Sequence, residues 1–403
     1  MSGELDRRRH VTLGLDRVRE LLSLLGEPHR RLRIVQVVGT NGKGTTAVSL
    51  AAALEAAGQR AGVYLSPHVL SYTERVVLRG EPVSEETFAA AMGEAIDVAD
   101  AHGVTASQFE LLTAGALKLF AGEGLSWAVL EAGLGARHDA TTAALPDTVV
   151  LTNVGLDHTE FLGHTVEEIS AEKLASLAAG ATLVLGTDDP RVVSLARKRC
   201  EEVGARLFEA AREPDRALPP GTILPPYALR DARLGMLAAE ELLGRRLSRA
   251  ERSRAVRAPT GALPGRFELH EVRGVPVVVD GGHNPTGVAA ALEGVRGAFG
   301  ERPLAVVFGA LRDKDVGSML TALKNEAHLL VLTRPDGDRG ADPAGVEREY
   351  GPRDREGRPA LVAEDAVRAL ELAVEEARAS NGVALVVGSL YTAAPVLRRL
   401  REE

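Results

Sequence analysis

The octapeptide Gly39-Thr40-Asn41-Gly42-Lys43-Gly44-Thr45-Thr46 stands between an apolar run, Ile34 to Val38, and an alanine-rich stretch, Ala47 to Ala57. That order predicts a buried strand handing over to a helix through a loop able to wrap an anion. Glycines let backbone N–H groups turn inward, the helix start adds partial positive charge, and Lys43 adds a mobile full one. Gly42, Lys43, Gly44 and Thr45 are therefore expected to hold nucleotide phosphates, with the Thr45 hydroxyl available to a magnesium ion on the same phosphates. The spacing departs from GxxxxGK[ST], because Gly44 separates the lysine from the threonine. A glycine-rich turn with a solvated lysine is the alternative. Against it stands the local order, in which the helix is expected to stop at Gly58 before a second apolar run, Ala61 to Leu65.

Further apolar runs at Trp127-Leu130, Thr148-Thr152 and Thr182-Leu185 read as buried parallel strands separated by helices. Thr165 followed by Glu168 predicts a capping box, and Gly180 the end of that helical region. A second series, Val275-Asp280, Leu304-Phe308, Leu329-Thr333 and Val383-Val387, begins after the Pro/Gly-rich segment Ala258 to Gly265, which is read as a linker. The expectation is an α/β chain of two domains, 1–260 with a mostly parallel sheet and a smaller one at 266–403. Glu213 to Pro226 is expected to be a surface loop or a small excursion rather than a domain border. A chain of 403 residues, 45% hydrophobic, is long enough for two cores.

A formal charge of -8 argues against general affinity for nucleic acid or anionic membranes, and 3% aromatic content against base-stacking platforms. Cys200 is the only cysteine, which excludes an intrachain disulfide and a thiolate zinc cluster. No apolar run reaches the roughly 18 to 20 residues that span a bilayer, and Met1 to His10 is charged. A cytoplasmic monomer acting on small molecules is expected.

In parallel sheets ligands collect beyond the carboxyl ends of strands. Ser66-Pro67-His68, Glu131 to Thr141, and Asn153 to Thr159 with Asp157 and His158, each follow such a run. Glu131 alone reads equally well as a solvated strand end, and a lone histidine more often as a structural or solvated residue; their convergence around a phosphate loop is what suggests a nucleotide site, with Glu131 as a magnesium ligand. In the second half, Arg266 offers a guanidinium fork for phosphate oxygens, and Asp280-Gly281-Gly282-His283-Asn284-Pro285 follows a strand. These residues are expected to complete a site between domains, although the latter segment also reads as a turn that starts a helix. Asp313-Lys314-Asp315 is less specific.

The ordered set GTNGKGTT, YLSPHVLSYTERV, QFELLTA, EAGLGARHDAT, LDHTEFLG, the pair Glu172-Lys173, PGRFE and DGGHNP resembles the folylpolyglutamate synthases, including the bacterial type that is also a dihydrofolate synthase, within the Mur ligase superfamily. The likeness runs along nearly the whole chain. It implies an N-terminal P-loop ATPase domain, a smaller Rossmann-like C-terminal ligase domain, and ATP and Mg2+ as cofactors. It further implies phosphate contacts from Gly42, Lys43, Gly44 and Thr45, magnesium contacts from Thr45, Ser66, Glu131 and His158, and ATP contacts from Arg266 and Asp280. Gln108, Phe109, Glu110, His138 and Asp139 match the pterin-side segments, as does Val11 to Val18. His138 departs from the family's usual apolar residue, and Asp231 stands where the family carries an asparagine. Lys173 by its pattern alone reads as an exposed helix lysine, whereas the resemblance matches it to a lysine that becomes carbamylated.

The reaction so implied joins L-glutamate to dihydropteroate and to reduced folates through an acyl phosphate, with Lys43, Glu131, His158 and Lys173 as the catalytic set. A Mur-type ligase acting on a cell-wall precursor is the alternative enzyme. A nucleotide switch would require a guanine-selective NKxD motif, and none is present.

Overall fold

The computed structural model describes residues 2–8, 14–214 and 224–402. Val11 to Leu13 of the expected pterin-side segment, and 215–223 of the proline-containing excursion, lie outside the described residues. The chain folds as two compact units, one of Met1–Thr222 with Arg230–Ala262 and one of Ile223–Leu229 with Leu263–Glu403.

Runs that are apolar at every position suit strands covered on both faces, and the first unit is built on such strands. In chain order they are β1 (Arg33–Val38), β2 (Ala61–Tyr64), β3 (Val76–Leu78), β4 (Glu81–Pro82), β5 (Trp127–Glu131), β6 (Thr148–Leu151), β7 (Thr182–Leu185) and β8 (Arg206–Phe208). Among the described residues they form one sheet in the order β4-β3-β2-β5-β1-β6-β7-β8. From β2 to β8 the neighbours are parallel, while β3 and β4 add an antiparallel edge. The five expected runs became β1, β2, β5, β6 and β7, with Glu131 as the last residue of β5 rather than the first beyond it. β3, β4 and β8 were not anticipated; short strands at sheet edges need no continuous apolar run.

Ser84 and Ser107 accept N–H bonds at the starts of the helices Glu85–Ala101 and Gln108–Gly122. These helices bury Phe88, Met92, Leu111, Leu117 and Phe120 in one cluster with Tyr64 and Leu130. A second cluster joins Val149, Leu151, Leu183 and Leu185 to Leu174, Leu177 and Val192. Each fully buried Leu or Phe stabilises by about 1.5–3 kcal/mol, whereas an exposed pair such as Arg197–Glu209 contributes about 0–1 kcal/mol. The apolar layers therefore hold the unit together.

The capping box at Thr165 and Glu168 is present and opens the helix Val166–Lys173. That helix ends well before Gly180, because Leu174 and Leu177 turn into the core through a tight turn at Leu174–Ser176. The segment expected to be a linker also differs: the helix Arg249–Ala262 runs through Pro259 and Gly261. A mid-helix proline loses an N–H bond and crowds the preceding turn. Here Ala255, Val256, Pro259 and Ala262 recur at helical spacing and are all buried, so the packed face outweighs that penalty.

The second unit holds β9 (Glu268–Val272), β10 (Val275–Val279), β11 (Leu304–Phe308), β12 (Leu329–Leu332), β13 (Leu361–Val362) and β14 (Val383–Val387). Their order is β13-β12-β11-β14-β10-β9, parallel except for β9. Val278, Val306, Phe308, Met319, Leu323 and Leu385 lie in its core. The edge strands β9 and β13 were again not visible as apolar runs.

In the first unit, Val37 pairs with Glu131, Val38 with Leu151 and Tyr64 with Leu130. The loops after β2, β5, β1 and β6 consequently leave one edge of the sheet side by side.

Close helix packing sets the limits of substitution near that edge. A Cβ on Gly235, in the helix Pro226–Leu243, would stand 2.5 Å from the Thr46 carbonyl oxygen and 2.8 Å from the Leu50 nitrogen. Alanine normally favours a helix over glycine by about 1 kcal/mol. Gly235→Ala is nevertheless expected to destabilise by about 1–3 kcal/mol in urea unfolding, and a stabilised variant would contradict the packing.

Candidate active site

The glycine loop takes its shape from the chain after β6. Gly39 has φ +151, and a Cβ there would overlap the Thr152 hydroxyl. The Thr152 hydroxyl donates to the Asn41 carbonyl at 2.7 Å, and the Asn153 side chain receives the Asn41 N–H at 3.1 Å and donates to its carbonyl at 2.9 Å. The Thr40 N–H donates to the Asn153 carbonyl, and the Thr40 hydroxyl exchanges hydrogen bonds with Gly155. Gly42, left-handed at φ +81, opens the helix Lys43–Ala56. Thr152 and Asn153 were not singled out from the sequence, since their partners lie more than a hundred positions away.

Two lysines meet at this loop. Lys43 Nζ donates to the carbonyls of Gly39 and Thr40, both at 3.3 Å, and Lys173 Nζ donates to the Gly39 carbonyl at 2.8 Å. Lys173 is 4% exposed. Burial is the main reason its ammonium is disfavoured, and the Lys43 charge adds to it; Asp157, Glu172 and Asp139 oppose. The Lys173 amine is thereby pushed down to about 7.

Oxygen donors gather nearby. Glu131, 5% exposed at the end of β5, accepts the Ser66 N–H at 2.9 Å and so joins the exits of β5 and β2. Thr45 is buried in the first turn of its helix. His158 is exposed, sits at a left-handed φ of +50, and has Nε2 4.0 Å from the Asp157 carboxylate. Hydroxyl and carboxylate oxygens are the ligands magnesium takes, usually leaving positions for substrate phosphates. No cluster of three or more His, Cys, Asp or Glu side chains among the described residues forms a metal cage alone. Thr45, Ser66 and Glu131 carry oxygen donors of the kind magnesium shares with phosphate.

The expected pterin-side residues divide in two. Phe109 lies under the loop after β5, where a Cβ on Gly133 would come 2.8 Å from its ring, and 5.8 Å from the Tyr64 ring centre; His138 is exposed. Gln108, Glu110 and Asp139 are buried and bound to the protein itself. Gln108 donates to the Leu5 carbonyl and to the Tyr72 hydroxyl, and Glu110 closes the capping box at Ser107 and pairs with Arg17. Asp139 gathers the N–H groups of Gly133, Leu134 and Thr141. Burial still pushes its carboxyl up, against those hydrogen bonds.

In the second unit Asp280 is 4% exposed and fully engaged. One oxygen accepts the Tyr227 hydroxyl and the Phe267 N–H, and the other the Gly282 N–H. Arg266 therefore precedes a residue tied to Asp280 and lies close to Gly281. His283 Nδ1 is 3.2 Å from the Gly281 carbonyl, and Asn284 caps the helix Pro285–Phe299.

A glycine loop clasped in this way at the carboxyl edge of a parallel sheet defines a nucleotide-binding α/β protein. The Mur ligase middle domain family matches residues 37–212, and the Mur ligase glutamate ligase domain family matches residues 265–390. The chain is 30% identical to the dihydrofolate synthase/folylpolyglutamate synthase of Bacillus subtilis, over 97% of this chain and 96% of that protein. Folylpolyglutamate synthase of Mycobacterium tuberculosis complexed with ADP superposes with a TM-score of 0.89 at 27% identity, covering 99% of this chain and 97% of that one. The bifunctional enzyme of Yersinia pestis, complexed with AMPPNP and a manganese ion, gives 0.85 at 29% identity, covering 99% and 98%. The chain belongs to the dihydrofolate synthase/folylpolyglutamate synthase family of Mur ligases.

The Lys173 amine has a thermodynamic signature. The native protein releases this proton near pH 7, while the unfolded chain keeps it to about 10.5. Between these values the unfolded state binds more protons, so stability is penalised below 7 and rises with pH across the interval, by up to about 1.4 kcal/mol per pH unit. Urea unfolding from pH 6.5 to 9.5 is expected to show this rise, and Lys173→Met to flatten it. Equal slopes would show that Lys173 is not buried as an amine.

Proposed function

We infer that this chain is an ATP-dependent ligase that joins L-glutamate to dihydropteroate and to reduced folates. The observation that carries the reading is the Gly39 carbonyl with Lys43 and Lys173 both upon it, in a loop anchored by Thr152 and Asn153. It supports a site built for the charge of a transferring phosphoryl group.

A carboxylate is a poor acyl donor, because its leaving group is poor and its charge repels nucleophiles. The acceptor carboxylate oxygen attacks the γ-phosphorus of ATP, the bond to the bridging oxygen breaks, and ADP leaves. The glutamate amine then attacks the acyl phosphate carbon, the C–O bond to phosphate breaks, and the amine loses a proton as the amide forms. The backbone of Gly42, Lys43 and Gly44 would cradle the phosphates, and Lys43 would follow the moving charge. Thr45, Ser66, Glu131 and His158 would hold magnesium, which supplies neutralisation of phosphate charge when bound. Phe109 and His138 would meet the pterin-bearing acceptor, with Gln108, Glu110 and Asp139 holding those segments in place. In the second unit, Arg266 offers a guanidinium fork suited to phosphate oxygens beside Gly281, on the turn that Asp280 fixes. No helix among the described residues is long and apolar enough to cross a membrane; a cytoplasmic location is part of this reading.

Incubation with ATP, Mg2+, glutamate and either dihydropteroate or a reduced folate is expected to yield glutamate adducts by mass analysis. Lys43→Ala should lower turnover on the order of a hundredfold to a thousandfold. A preparation that binds ATP but forms no adduct from either acceptor would remove the folate assignment.

Lys173 is proposed to become a carbamate, since carbon dioxide reacts with a neutral amine and burial pushes this one down to about 7. Modification would turn a cation into an anion that orients the magnesium-bound groups. Lys173→Ala is expected to lose activity and to regain part of it with short carboxylic acids. Full activity of that variant in bicarbonate-free buffer would refute the modification.

A further inference from the structure

Asp231 has no part in the reaction above, yet its carboxyl group lies on the phosphate loop. A Cβ on Gly42 would overlap the carboxyl carbon and both oxygens of Asp231, so only the absence of a side chain on Gly42 leaves room for the acid. The position is held from two sides. The Asp231 carbonyl accepts the Thr46 hydroxyl at 3.1 Å, and one turn further Gly235 lies against the Thr46 carbonyl and the Leu50 nitrogen. The helix carrying Asp231 cannot tilt away from the loop without breaking backbone-level packing.

A loop at a helix start attracts anions. An ionised carboxylate against it competes for that field and repels an arriving phosphate. The charged groups on the two packed elements are Arg230 and Arg233 on the helix of Asp231 and Lys43 at the start of the loop's helix, with Lys173 held at the Gly39 carbonyl. Arg233 donates to the Glu213 carbonyl, Lys43 to the Gly39 and Thr40 carbonyls, and Lys173 to the Gly39 carbonyl. Arg230 is the charge that favours the ionised form, and burial outweighs it, so the Asp231 carboxyl is pushed up to about 7.

We propose that Asp231 makes nucleotide binding proton-linked, the loop accepting a polyphosphate when Asp231 carries a proton and disfavouring it when Asp231 is ionised. Arriving phosphate charge strengthens the hold of Asp231 on its proton, so binding near neutrality draws a proton from solvent onto the carboxyl group. Affinity then falls as pH rises past 7. The inference rests on the assignment of the loop to ATP.

The test is calorimetric titration of MgADP into the full chain in buffers of different ionisation enthalpy, comparing the wild type with Asp231→Asn. Proton exchange by MgADP and by Lys173 occurs in both proteins, so the difference reports Asp231. At pH 7.5 the wild type is expected to take up more protons per ADP bound than the variant, and Asp231→Ala should show the same loss. One unit of coupling corresponds to about tenfold in affinity. Asp231→Asn should therefore bind ADP about tenfold tighter than wild type at pH 8.5, and within about twofold at pH 6. Equal proton uptake in wild type and both variants, with ADP bound, overturns the proposal and leaves the ATP site standing. An affinity gain as large at pH 6 as at pH 8.5 also overturns it, because the carboxyl would then act by shape. Failure of the wild type to bind ADP at all overturns the ATP reading and this inference with it.

Discussion

The Gly39 carbonyl is the point on which the catalytic half of the molecule depends. Lys43 reaches it from the start of the following helix and Lys173 from a separate helix more than a hundred residues on. It faces both because Gly39 adopts a positive φ and has no side chain to displace Thr152. The parallel pairing of β1 with β6, which sets Val38 beside Leu151, brings Thr152 and Asn153 to the loop in the first place. Two amines near one oxygen, with water excluded from one of them, is an arrangement of stored electrostatic tension that a polyphosphate would relieve.

Buried charged groups in this chain are treated in two ways, and the difference separates framework from chemistry. Asp139 and Asp280 receive backbone N–H groups from turns they close. A carboxylate saturated with such donors is an internal staple, since removing it would orphan several backbone groups at about 1–3 kcal/mol each. Lys173 instead lies against a carbonyl and beside another cation. Asp231, only half-buried, lies against a glycine in the phosphate loop, with loss of water around its carboxyl outweighing its neighbouring arginine. Groups held so lightly change protonation with modest changes in surroundings, which suits them to respond to a ligand.

Much of this was legible locally. The strand, glycine loop and helix at Gly39 to Thr46 follow from side-chain pattern and glycine content, and the capping box at Thr165 from two residues three apart. Continuous apolar runs marked the central strands because a strand covered on both faces has no polar side. The same logic missed β3, β4, β8, β9 and β13, whose places at or near sheet edges relax that demand. Pro259 and Gly261 read as a linker because local propensity opposes a helix there, and burial of one helical face overrode it.

The sequence by itself determined the local elements, the presence of a phosphate loop, and the acids and hydroxyls that follow the parallel strands, because these depend on neighbours within a few positions. Only the tertiary structure decided that Thr152 and Asn153 clasp the loop, that Lys43 and Lys173 share one carbonyl, and that Asp231 rests on Gly42. Each of those pairings spans two elements whose separation along the chain carries no trace of their contact. Strand register and the close approach of helices at glycine set the distances, and distance together with exclusion of water sets how strongly a charge is felt.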